Sequence, residues 1–201
     1  MLLRSTGRTA RRTAAGLALL TALALPATAL AADFIGTSGP DHLVGTADHD
    51  QISGLAGDDV LEGLAGPDLI DGGADNDQIY GGDGHDVLLG GDGRDEIRGG
   101  AGGDVIRGGP GADRLSGGLG HDVIYGGAGP DVIYGGDAGD VVFGGAGRDI
   151  VYGGAGNDVI HTGGDKTADA VHCGPGHDVA YVGRYDIADA SCERIVRHRE
   201  P

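Results

Sequence analysis

The amino-acid sequence predicts an all-β solenoid of stacked coils, and three observations carry that reading. From Gly36 to His161 a nine-residue unit recurs fourteen times without an insertion or deletion. In every copy the first residue is Gly, the sixth is Asp and the eighth is Leu, Ile or Val, as in Gly81-Gly82-Asp83-Gly84-His85-Asp86-Val87-Leu88-Leu89. Glycine supplies 44 of the 201 residues, with no Trp and only two Phe, which fits a repeat architecture rather than a conventional core.

Each part of the unit has its own structural meaning. The first five positions are Gly-rich and predict a turn. Positions seven to nine, such as Val132-Ile133-Tyr134, are β-branched and aromatic and predict a three-residue strand. Two units then make one coil of 18 residues with a strand on either side, so the array 36–161 gives about seven coils. Side chains alternate along a strand, so position eight points inward. The expected interior is Leu43, Ile52, Leu61, Ile70, Ile79, Leu88, Ile97, Ile106, Leu115, Ile124, Ile133, Val142, Val151 and Ile160.

The flanking segments read differently. Residues 1–31 have a basic start (Arg4, Arg8, Arg11, Arg12), an apolar stretch from Ala14 to Leu25 and a small-x-small site at Ala29-Leu30-Ala31. That layout predicts a signal peptide and a secreted, extracellular protein; the apolar stretch is too short for a membrane span. Arg11-Arg12 also permits a twin-arginine reading, but the general secretory route is preferred. Residues 32–161 then form the array with its lead-in, and 162–201 a divergent repeat and cap. The tail keeps one recognisable unit, Cys173 to Tyr181, and runs on through Asp186 and Asp189 to Cys192. An even number of cysteines in an exported chain favours one disulfide, Cys173–Cys192.

Charge narrows the partners. The formal net charge is −17, and removing 1–31 takes away four arginines and no acid, leaving 10 basic against 31 acidic residues, or −21. So acidic a chain repels nucleic acid and anionic lipid. Fourteen equivalent carboxylates on a regular lattice instead describe a repeated cation site.

The unit resembles the nonapeptide of the RTX, or hemolysin-type, calcium-binding repeat family, with phase kept across residues 36–161. The resemblance implies a right-handed parallel β-roll, two repeats per turn, with Ca2+ between stacked turns. It implies ligands from loop carbonyls and from Asp41, Asp50, Asp59, Asp68, Asp77, Asp86, Asp95, Asp104, Asp113, Asp122, Asp131, Asp140, Asp149 and Asp158. Seven coils leave six gaps on each of two edges, room for about twelve ions at most. Calcium accepts mixed carboxylate and carbonyl oxygens, whereas Mg2+ demands a tighter octahedron and zinc prefers His or Cys. Departures concentrate at the start: Thr37, Thr46, Leu55 and Leu64 replace the second Gly, and Asp48, Asp75 and Ala138 the fourth. The sites beside them are expected to be the less regular ones.

Rival readings use the same residues. His49-Asp50, His85-Asp86, His121-Asp122 and His177-Asp178 look like acid–base pairs, or a zinc or nickel site, yet position five also holds Pro, Arg, Asn, Gly and Ala. The glycine loops lack the Gly-Lys-Ser/Thr of a phosphate cradle, and no Gly-x-Ser-x-Gly nucleophile motif occurs. One outward row (Gln51, Leu69, Val87, Val105, Val123, Val141, Val159, joined by Tyr125 and Phe143) is apolar, while the opposite row is more polar in its middle. It reads as strand propensity or as a face for self-association or a surface partner. The sequence therefore predicts a secreted, non-enzymatic Ca2+-binding module that folds on binding metal, the alternative being a surface adhesin or matrix component stiffened by calcium.

Overall fold

The computed structural model describes residues 32–197; the expected leader 1–31 and residues 198–201 lie outside them. Nineteen strands and no helix make up the described chain. Counted along the sequence, odd-numbered strands form one ten-stranded sheet and even-numbered strands a nine-stranded sheet, all parallel. Each strand pairs with those one coil before and after: Val123 lies beside Val105 and Val141, and Val132 beside Arg114 and Ile150.

Two expectations change in detail. Body strands are six residues long rather than three: Val123–Ala128 and Val132–Asp137 continue through the Gly-Gly pair into position three of the next unit. Glycine is a poor strand former on average, but here Gly127 pairs in register with Gly109 and Gly145, and the turn is confined to positions four to six. The coils also number about nine rather than seven, as the two sheets' ten and nine strands show. Ala32–Ile35 docks on Asp50–Ala56 at one end. Ala170–His172, Val179–Val182, Ile187–Ala188 and Arg194–Arg197 extend the stack at the other. A solenoid's last coil exposes its core, and these flanking segments keep enough alternation to cover it.

The interior is the position-eight column. Ile52 and every later member through Ile160 are buried, and Leu43 is partly buried against them. Val171, Ala180 and Val182 prolong it, and the Cys173–Cys192 disulfide, with Cα atoms 5.1 Å apart, closes it. Outward residues stack like on like. Tyr125, Phe143, His161 and Tyr181 form one ladder with centroids 4.9, 4.9 and 4.5 Å apart. Tyr134, Tyr152 and His172 form a second on the other sheet, 5.0 and 4.9 Å apart. Aromatic stacking is thus shared by both faces.

Candidate metal sites

Positions six, eight and one of the next unit are spaced by two, so a strand turns all three inward. Asp50, Ile52 and Gly54 alternate with exposed or half-exposed neighbours along Asp50–Ala56 in this way. The motif's Asp is therefore buried for the same geometric reason as its aliphatic residue. Asp50 through Asp158 of the array are each no more than 2 % exposed.

The carboxylates form two ladders, one along each edge. In each rung from Asp59 to Asp178 Oδ1 accepts the backbone N–H of the Asp one coil earlier: Asp86 to Asp104 at 2.9 Å, Asp104 to Asp122 at 2.8 Å, Asp113 to Asp131 at 2.9 Å. The Asp carbonyl accepts an N–H from the next coil, as Asp86 O does from Val105 at 2.8 Å. Three ladder bonds fix each residue. Oδ2 is left over: in Asp59, Asp68, Asp77, Asp86, Asp95, Asp104, Asp113, Asp122, Asp131, Asp140, Asp149 and Asp158 it is buried with no hydrogen-bond partner.

Position-one glycine makes the space around that oxygen. A methyl group on Gly54 would fall under 3.0 Å from Asp59 Oδ2, and 2.6 Å from the Gly72 carbonyl of the next coil. Gly90 and Gly99 repeat this against Asp95 and Asp104, each with a next-coil carbonyl 2.6 Å from the same point. So a carboxylate oxygen and a carbonyl oxygen converge on a pocket that only glycine leaves open. No group of three or more His, Cys, Asp or Glu converges among the described residues. Backbone carbonyls must therefore complete any coordination shell, which suits a hard cation with many oxygen ligands.

Burial sets the electrostatics. It pushes the Asp77, Asp131 and Asp140 carboxyls up to about 7 and those of Asp68, Asp104 and Asp113 to about 6. The amide bond from the preceding rung opposes this. An unpaired buried charge is costly, so these oxygens call for a proton or a cation.

A profile of the RTX calcium-binding nonapeptide repeat matches this chain in overlapping segments from 35–70 to 134–166. The chain belongs to the RTX calcium-binding nonapeptide repeat family. No curated protein matches it. RTX repeats bind Ca2+ in a structural, β-roll module, and the two rows of buried Asp fit that ion.

Within this RTX array the expected ligands are not all alike. Asp41 and Asp50 stand on the ladders but have their Oδ2 hydrogen-bonded, to Thr37 and Thr46. The irregular units divide: Leu55, Leu64, Asp75 and Ala138 take the positive φ of the glycines they replace (79, 81, 77 and 75°), and Asp59 and Asp68 keep their places, whereas Thr37, Thr46 and Asp48 do not take it. Two further rungs, Asp169 and Asp178, also have a buried, unpartnered Oδ2. Asp178 lies in the tail unit already recognised; Asp169 was missed because two extra residues precede it, although Asp169-Ala170-Val171-His172 echoes Asp158-Val159-Ile160-His161. Position one is Thr162 and Cys173 in these two coils, so their cradles differ in shape.

The histidines do not pair with their neighbouring Asp. His85 Nδ1 lies 3.0 Å from the Gly103 carbonyl and His121 Nδ1 2.7 Å from that of Gly139; His49 meets Pro67 O in the same way. The rings run along the edge from coil to coil, with no hydrogen bond to the adjacent carboxylate.

Proposed function

We propose that the chain is a secreted, non-enzymatic structural module whose coils are held together by calcium. Asp59, Asp68, Asp77, Asp86, Asp95, Asp104, Asp113, Asp122, Asp131, Asp140, Asp149 and Asp158 hold it through Oδ2, six on each edge, with carbonyls of the adjoining turns. The observation that carries this reading is the row of buried, unpartnered carboxylate oxygens beside glycine cradles. Bound Ca2+ supplies the positive charge that a stack of such groups lacks. The residues do the rest: Oδ1 fixes the carboxylate by its amide bond, and glycine at position one keeps the space clear. The basic-apolar-small layout of residues 1–31 supports secretion, where millimolar calcium is available and disulfides persist. The outward valine row needs no partner to account for it, because its members stack on one another in register.

The test is far-ultraviolet circular dichroism of the metal-free protein during a Ca2+ titration, with Mg2+ as control. A steep coil-to-β transition in calcium alone is expected. A β spectrum indifferent to chelator and metal would sink the proposal.

A further inference from the structure

The ladders end differently from the way they run. Asp41 and Asp50 have the same glycine cradles as the rungs above them: a methyl on Gly36 or Gly45 would stand 2.7 Å from their Oδ2 atoms. Yet Asp41 Oδ2 accepts two hydrogen bonds from Thr37, from N–H at 2.6 Å and Oγ1 at 2.9 Å. Asp50 Oδ2 accepts the same pair from Thr46, at 2.6 and 2.9 Å. At the far end Asp186 Oδ2 accepts Thr162 Oγ1 at 2.9 Å and the Gly183 N–H at 2.6 Å.

Backbone geometry agrees independently. Position two has positive φ at Leu55 and Leu64 and at glycines such as Gly73, Gly82, Gly91 and Gly100, whereas Thr37 and Thr46 do not. With an ordinary φ the threonine amide turns onto the carboxylate, and the hydroxyl adds a second donor. The strand stops short there: His42–Val44 ends before the Gly45-Thr46 pair, while Val60–Ala65 runs through Gly63-Leu64.

We propose that threonine closes both ladders at their start and one of them at its far end, so that Asp41, Asp50 and Asp186 are satisfied by the protein and take no calcium. This rests on the calcium reading above. Two donors already occupy the oxygen that a cation needs, and a metal would have to break both bonds and invert the backbone at position two. The repeat motif and the metal array are therefore not coextensive: the first coil obeys the motif and stays metal-free. It forms a polar lid on the charged stack.

The experiment counts bound calcium per chain by equilibrium dialysis of the full chain at saturating Ca2+, with circular dichroism to verify folding. Asp→Asn suits this test because at Asp59 and Asp68 the amide oxygen still accepts the ladder bond, and at Asp41 and Asp50 it can accept the threonine bonds. D41N/D50N is expected to bind as many ions as wild type, while D59N/D68N is expected to lose two. T37G/T46G, restoring the second glycine of the repeat, is expected to gain two. A loss of two ions in D41N/D50N, or no gain in T37G/T46G, overturns the closure. A wild-type chain that binds no calcium, or a D59N/D68N chain that loses none, overturns the calcium reading and the closure with it.

Discussion

Glycine at position one is required by space, since its Cβ would collide with a carboxylate and a carbonyl, whereas at position two it is required by backbone angle and, from Gly73 on, also by the nearness of a carbonyl of the previous coil. The exceptions at position two measure that second requirement. Leu55 and Leu64 sit at φ 79 and 81° with side chains half exposed, so they give little burial in return for a left-handed backbone. That conformation costs an L-residue about 1–2 kcal/mol, against about 0.5–1 kcal/mol for the greater chain entropy of glycine. Leu55→Gly and Leu64→Gly are each expected to stabilise the calcium-loaded protein by about 0.5–1 kcal/mol, read from thermal melts. Destabilisation by either would mean that the leucines contribute contacts outweighing their strain. The presence of substitutions at these positions was legible in the sequence. Their outcome was not, because one side chain at position two tolerates the turn and another bonds the carboxylate; the choice depends on the threonine hydroxyl reaching forward four residues.

An edge of the roll is a column of carboxylates whose burial raises their proton affinity, and its pH response follows. Folded-state values of about 6 to 7 for Asp68, Asp77, Asp104, Asp113, Asp131 and Asp140 exceed the ordinary carboxyl value of 3.8. The metal-free fold thus binds more protons than the unfolded chain, and its stability falls as pH rises from about 4 through about 7. With saturating calcium the metal takes the proton's place, so binding weakens as pH drops through the same window. In metal-free protein, circular dichroism between pH 4 and pH 7.5 is expected to show β content declining with pH. A rise over that range would mean that the buried carboxyls are not the groups governing the fold. Strand existence, pairing side and inward column were all legible at this scale from a period of nine with Asp and aliphatic two apart. Strand length was not, because the run through Gly126-Gly127 is dictated by the interior and not by local propensity.

For the whole molecule, the strict phase of fourteen units specified a solenoid, and it underestimated the coil number because the flanks had lost the motif but kept its alternation. The tail illustrates this. A two-residue insertion hides Asp169, yet its Oδ1 still receives the Asp149 N–H at 2.9 Å. There the disulfide stands where the regular glycine cradle ends, closing a loop with a sequence separation of 19. A loop of this size is worth about 3 kcal/mol, so C173S/C192S is expected to melt roughly 6–12 °C lower in calcium for a chain of this size. An unchanged melt would show the tail to unfold separately from the roll. The alternation of sheets also governs how such a protein can lengthen by duplication. One added nonapeptide shifts every later unit to the opposite sheet, parting Tyr125 from Phe143 only if it falls between them but always moving the downstream aromatic column across the rod. Two added nonapeptides restore the arrangement. Growth of this lineage in whole coils is neutral to both faces, and growth by single units is a change of surface.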